Sequence, residues 1–231
     1  RTEHCARHAA RTQAFAAIPE ITLEEWPALP TWSTYHVGGH AEWSIECHSF
    51  AALEAVIQQC DQTACPWRFF GMGANSWISD LCQPGVALRL AKGAGQTYEI
   101  DADGGLILGC GWSGPALLEK LTQDGFSGLE FLDSVPGSLG GWLRMNAGAH
   151  GAEIGSRVAW IRCLHSDHPS AIVHTPCLGF GYRTCAYLKH ALALTCKVRL
   201  DRDDPATIRS LRDAYRKKRI PLAGLRTAGS V

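Results

Sequence analysis

Residues 128–141 read Gly128-Leu129-Glu130-Phe131-Leu132-Asp133-Ser134-Val135-Pro136-Gly137-Ser138-Leu139-Gly140-Gly141, an apolar stretch that passes directly into turn formers. Pro136 fixes one turn, and Gly137, Gly140 and Gly141 are expected to leave backbone N–H groups unshielded. That suits a pyrophosphate nest, although a glycine-rich bend packing two sheets has the same composition. The next segment, Arg144-Met145-Asn146-Ala147-Gly148-Ala149-His150-Gly151, surrounds Asn146 with small residues. A flat ring could lie against such backbone, with the Asn146 amide offered to ring or ribose heteroatoms. Between Gly125 and Gly155 there are eight glycines. That density marks backbone that must turn sharply or approach another group closely.

Working outward, strands and helices mix without the strict alternation of a doubly wound sheet, so the fold class expected is α+β. A short helix is predicted over Ala6–Ala17, followed by an irregular lead-in where Pro19, Pro27 and Pro30 interrupt. Alternation of Val37, Ala41, Trp43, Ile45 and Cys47 predicts strands, and Ser49 caps a helix from Phe50 to about Gln62. Three apolar runs, Val86–Leu90, Thr97–Ile100 and Leu106–Gly111, carry the punctuation of a meander or hairpins. Ser113 and Pro115 open a helix to about Gln123. Strands follow at Val158–Leu164, Ala171–His174 and Leu192–Leu200, with one helical turn begun by Thr175-Pro176. Asp204-Pro205 starts a last helix to about Arg219, with Ile208, Leu211 and Tyr215 on one face.

The 231 residues balance 22 Lys and Arg against 22 Asp and Glu. That removes the usual case for a nucleic-acid or anionic-membrane partner. No apolar run reaches the roughly 18–20 residues of a membrane span, so a soluble protein is expected. The 10 cysteines include no Cys-x-x-Cys pair, which favours reduced, buried thiols. His4/His8 and His36/His40 have i, i+4 spacing but no carboxylate with an obvious role, so no metal is expected. The chain opens on Arg1 without Met and stops at Val231 in what reads as a strand, which suggests a fragment.

Other candidate groups lie apart in sequence. Gly71-x-Gly73-x-Asn75-Ser76 follows a strand, Trp67–Phe70, as a phosphate-cradling loop should. Ser76 stands where a dinucleotide fingerprint has its third Gly, so taken alone the loop also reads as a plain turn. Phe180-Gly181-Tyr182-Arg183 ends an element on an Arg able to grip a carboxylate or phosphate. Thr227-Ala228-Gly229-Ser230 puts a hydroxyl at a loop-to-strand junction.

In order, Thr34-x-x-Val37-Gly38-Gly39, the Gly71–Asn75 loop, the 128–141 block, Arg144–Ala149, Phe180–Arg183 and Ala228-Gly229-Ser230-Val231 resemble the UDP-N-acetylenolpyruvoylglucosamine reductase (UDP-N-acetylmuramate dehydrogenase) family. The resemblance runs from about residue 28 to the end. It implies a two-lobed FAD-binding domain of the vanillyl-alcohol-oxidase type over residues 28–200, with FAD wedged between α+β lobes. Residues 1–27 would be a lead-in, and 201–231 the start of a truncated substrate-binding domain. FAD contacts would come from Tyr35, Val37, Gly71, Gly73, Asn75 and Ser76, then from Ser134, Pro136, Gly137, Ser138, Gly140 and Gly141. Asn146, Ala147, Gly148, Gly151 and Ile154 complete the set.

The resemblance further implies that NADPH reduces FAD, which then reduces the enolpyruvyl group of a UDP-sugar for peptidoglycan synthesis in a bacterial cytoplasm. Arg183 matches the residue that stabilises charge on the substrate carboxylate, and Ser230 matches the proton donor. Three positions depart from the family: Ala74 for Ser, His150 for Tyr, and Trp142 for a small residue. The family's further catalytic Glu lies beyond the matched residues. Two other readings are an FAD-binding module without reductase activity and an interaction protein that has lost FAD. Gly137, Gly140, Gly141 and Asn146 argue against the second.

Overall fold

Alternation of Ala41, Trp43, Ile45 and Cys47 builds a strand whose inward side chains are fully buried, and the first of two units forms around it. The computed structural model describes residues 2–165 and 170–219. The first unit extends to Gly95 and the second begins at Gln96.

In the first unit, helix α1 (Thr2–Ala16) and strand β1 (Ile21–Glu25) precede β2 (Ala41–Cys47), α2 (Phe50–Gln62), β3 (Trp67–Phe69) and β4 (Gln83–Leu90). Sheet order is β1-β2-β4-β3, with β4 parallel to both neighbours and β1 antiparallel to β2. Ser49 caps α2 as expected, its Oγ accepting from Ala52 N–H at 3.1 Å. The expected irregular lead-in is corrected: Ile21 and Leu23 alternate with polar residues and pair with Cys47 and Ile45. Pro19 and Pro27 flank this strand instead of breaking it. Helix α1 also packs, with Phe15 edge-on to Trp43 at 5.8 Å and His8 stacked on Trp43 at 4.3 Å.

The meander is corrected too, since Val86–Leu90 belongs to the first unit's sheet and runs parallel between β2 and β3. Gly93 and Gly95, with φ of +87° and +66°, separate it from the next strands.

The second unit begins with the β5 (Tyr98–Ile100) and β6 (Leu106–Gly109) hairpin, then α3 (Gly114–Gln123), β7 (Phe126–Ser127) and α4 (Leu139–Arg144). There follow β8 (Gly148–Ala149), β9 (Ala152–Glu153), β10 (Val158–His165), β11 (Ala171–His174) and α5 (Thr175–Leu178). The last elements are β12 (Phe180–Gly181), β13 (Thr184–Cys185), β14 (Ala191–Val198), β15 (Asp201–Arg202) and α6 (Pro205–Arg219). The main sheet is antiparallel, ordered β11-β10-β14-β6-β5. Leu106, Leu117, Leu121, Leu132, Leu139, Leu143 and Ile161 fill its core.

Asp204 caps α6, its carboxylate accepting from the N–H groups of Ala206 and Thr207. The expected apolar face of α6 is corrected: Leu211 is exposed and Arg212 is buried beside Ile208. Arg212 turns inward because it has a buried carboxylate to meet, that of Asp133. All ten cysteines are free and seven of them are buried. Burial pushes the Cys47 and Cys163 thiols up to about 12, which suits inert core residues. Among the described residues no helix is long and apolar enough to cross a membrane, and no group of three metal-ligating side chains forms.

Candidate functional site

Strand β3 ends at Phe69, and the chain leaves the sheet through Phe70 into Gly71–Ser76. Gly73 has φ +65°, and a Cβ there would lie 1.9 Å from the Trp32 carbonyl oxygen, so only Gly permits the approach. The loop is fastened to residues 33–35. Thr34 N–H donates to Gly73 O at 3.1 Å, and the Ser33 hydroxyl donates to Ser76 O at 2.5 Å. Tyr35 reaches the loop through its hydroxyl, 3.4 Å from Asn75 Oδ1, while Val37 is half-buried nearby in sequence. Leu29, Trp32, Ala41, Ile78 and Ala87 form a small apolar core around the segments flanking this loop.

Two of the loop's carbonyls, those of Gly73 and Ser76, are therefore engaged, but its N–H donors are not. Among the described residues, none of the N–H groups of residues 71–76 has a protein acceptor. Gly71, Met72 and Asn75 are exposed, so their N–H groups face solvent and are open to a ligand's acceptors. Ala74 removes only a side-chain hydroxyl from this set.

In the second unit, the 134–141 segment is not loop throughout. Ser138 caps α4, accepting from Gly141 N–H at 3.3 Å. The expectation that all three glycines offer free donors is corrected accordingly. Gly140 N–H donates to Cys110 O at 3.0 Å, and Leu139 N–H to Trp112 O at 2.9 Å. Gly140 also sits close to Cys110, whose Cβ would be 3.3 Å from an added methyl. Only Gly137 and Ser138 keep N–H groups without an acceptor among the described residues. They follow Ser134, at φ +70°, and Pro136. Trp142 does not project from α4: it is 2% exposed, lies against Gly114 and donates from Nε1 to Pro136 O at 3.2 Å.

Asn146 is the second correction. Its amide is buried and fully engaged, donating to Glu153 Oε2 at 2.8 Å and Gly181 O at 3.0 Å. Its oxygen accepts from Gly155 N–H at 3.0 Å. With φ +43°, Asn146 acts as the knot that joins α4, the β8–β9 hairpin and β12. Ala147 continues the knot, its N–H donating to Trp142 O while its carbonyl accepts from Ile154 N–H. Between Gly148–Ala149 and β9, His150 and Gly151 have φ of +55° and +82°, the signature of a type I′ hairpin turn. His150 stacks on Tyr215 of α6, ring centroids 4.6 Å apart.

Arg183 occupies the two-residue turn between β12 and β13 instead of an element's end. It is exposed, at φ +55°, and its Nη1 donates to Gly148 O at 3.2 Å. The fold thus brings Arg183, Gly148 and Asn146 together. Ser230 lies outside the described residues. Sequence reasoning missed Ser33, Asp133, Glu153 and Arg212, which hold the candidate segments from behind. Arg212, four residues after the buried Ile208 on the same helix face, is the one among them that left a periodic signal.

Residues 42–167, more than half of the chain, match the FAD binding domain family. A UDP-N-acetylenolpyruvoylglucosamine reductase from Halalkalibacterium halodurans is 30% identical over 173 residues, covering 75% of this chain and 56% of that protein. One from Rhizorhabdus wittichii is 32% identical over 198 residues, covering 84% and 63%. The chain spans little more than half the length of the curated relatives it matches. Among solved structures, the UDP-N-acetylenolpyruvylglucosamine reductase of Thermus caldophilus superposes with a TM-score of 0.75 at 27% identity, covering 90% of this chain and 73% of that one. Physcomitrella patens BBE-like 1, at 10% identity and a TM-score of 0.58, shares the fold alone.

Proposed function

This chain belongs to the FAD binding domain family, with the α+β fold of vanillyl-alcohol-oxidase-type flavoproteins and a resemblance to UDP-N-acetylenolpyruvoylglucosamine reductases; from that we propose that it is the flavin-holding part of such a reductase. The reaction proposed is NADPH-dependent reduction of the enolpyruvyl group of a UDP-N-acetylglucosamine derivative to UDP-N-acetylmuramate, for peptidoglycan synthesis in a bacterial cytoplasm. The run of N–H groups over residues 71–76 is the observation that carries the reading, because main-chain donors of that kind suit the cofactor's pyrophosphate. Within the second unit, Gly137 and Ser138 have N–H groups of the same kind. FAD held there, once reduced by NADPH, would supply hydride to the enol-ether carbon and return to its oxidised form.

Arg183 has the chemistry the second half-reaction needs. Hydride addition builds negative charge on the substrate carboxylate, and a fixed guanidinium stabilises that charge more in the transition state than before it. Its hydrogen bond to Gly148 O keeps the side chain beside a segment proposed to contact the cofactor, which supports this assignment. Ser230 is proposed as donor of the proton that completes the product. The segment from Asp201 onward is proposed as the start of a substrate-binding domain.

An absorbance spectrum of the purified chain, before and after anaerobic NADPH, tests the reading. Bound flavin that bleaches is expected, and Arg183→Ala should retain FAD while losing turnover on the UDP-sugar. Failure to take up FAD after soaking would overturn the proposal. Flavin that binds but never bleaches would leave an FAD-binding module without reductase activity.

A further inference from the structure

Asp133 lies immediately before the Ser134–Ser138 segment, and its carboxylate is held from two sides. Oδ2 accepts from Arg212 Nε at 2.8 Å and Arg216 Nη2 at 3.1 Å, while Oδ1 accepts from Arg216 Nε at 3.0 Å. Ser134 Oγ is 3.4 Å from the same Oδ1. Arg212 is buried and continues inward, donating from Nη1 to Thr122 Oγ1 at 2.8 Å, to Glu119 Oε2 at 3.0 Å and to Leu118 O. One guanidinium therefore fastens α3, α6 and the start of the 134–138 segment together. Glu130 pins the preceding turn, accepting twice from Gly128 N–H.

Simple stability does not require this arrangement. Buried ion pairs are weak contributors to stability compared with apolar packing, and their best-attested use is to fix one arrangement among several. What is fixed here is a strained entry: Ser134 at φ +70°, then Val135 N–H closing onto Leu132 O, then Pro136. In that arrangement the Gly137 and Ser138 N–H groups are without acceptors among the described residues.

The geometry points to Asp133, Arg212 and Arg216 as positioning residues that set the 134–138 segment for the cofactor's pyrophosphate, so that docking of α6 governs FAD affinity. This rests on the flavin reading above. The outer arm offers the cleanest test, because the Arg216 side chain is half exposed and its loss spares the core.

FAD affinity of the 231-residue chain is measured by flavin fluorescence well below the melting temperature. Melting of the FAD-free chain is followed in parallel for Arg216→Gln, Arg216→Lys and Asp133→Asn. We expect Arg216→Gln to weaken FAD about tenfold, the worth of one charge-assisted hydrogen bond, well below its melting transition and beyond the modest fall in melting that losing a half-exposed ion pair brings. Arg216→Lys should recover part of that loss, and the visible circular dichroism of bound flavin should shift in the weakened variants. Unchanged FAD affinity and dichroism in Arg216→Gln, whatever happens to melting, would overturn the inference and leave a structural ion pair. Should Asp133→Asn fail to fold, the Arg216 pair decides alone. If the unmodified chain binds no FAD, the flavin reading itself fails, a result distinct from binding that ignores Arg216.

Discussion

Gly114 begins α3 directly under the indole of Trp142. A methyl at Gly114 would stand 2.1 Å from Trp142 Cζ2 and 2.6 Å from Cη2. Ordinary carbon contacts are about 3.5–4.0 Å, so the ring must retreat by more than an ångström. It has nowhere to go, being 2% exposed and bonded through Nε1 to Pro136 O. Overpacking of this kind costs about 1–3 kcal/mol, and losing the indole hydrogen bond adds about 1 kcal/mol. Helix propensity returns less than about 1 kcal/mol at the first helical position. Gly114→Ala should therefore destabilise the chain by about 2.5 kcal/mol, or about 5–10 °C in melting temperature.

Urea denaturation of Gly114→Ala, Trp142→Phe and the double variant checks the cause. Phe lacks the outer ring atoms that the new methyl strikes, so the double variant should be more stable than the sum of singles by about 1 kcal/mol or more. Strict additivity within about 0.5 kcal/mol would refute the steric argument.

Asn146→Ala should cost about 2–4 kcal/mol in denaturant unfolding, because it strips partners from Gly155 N–H and Gly181 O; a cost below about 1 kcal/mol would contradict the knot described above. Gly73→Ala should strip bound flavin from the purified protein, since the methyl meets the Trp32 carbonyl and prises the loop from Thr34; retention measured by absorbance at the unmodified level would count against the loop. Burial opposes charge on Asp133, but Arg216 and Arg212 outweigh it and hold the carboxyl below its usual value. Its stabilising contribution is thus fully present above about pH 4 and lost as pH falls through the lowered folded value. Acid titration of stability should show this loss in the unmodified chain and a shallower one in Asp133→Asn.

Local chemistry was the legible part of this fold. Ser49 and Asp204 declare helix starts because a cap is a short-range hydrogen bond written within three residues. The strand at Ile21–Glu25 was harder to see, since its five residues gain meaning only through pairing with β2. The place of β4 depends on partners some forty residues upstream, and no local pattern separates a parallel strand from a hairpin arm. Glycine composition marked where the backbone turns but not which N–H groups stay unbonded there. Whether Gly140 N–H faces a ligand or Cys110 O is decided by a residue thirty positions away. Asn146 misled for the same reason: an amide among small residues looks available until its buried neighbours, Glu153 and Gly181, come into view.

The Gly71–Ser76 loop has one more consequence. On the proposed reading, its recognition of the cofactor is carried by peptide groups, which every residue except proline supplies alike. The side chains at positions 72, 74 and 76 are then free to drift without erasing the binding surface, whereas Gly73 is held by sheer lack of room. A scaffold of this sort tolerates rewriting almost everywhere along its rim, yet a single peptide-plane rotation or one misplaced proline would silence it.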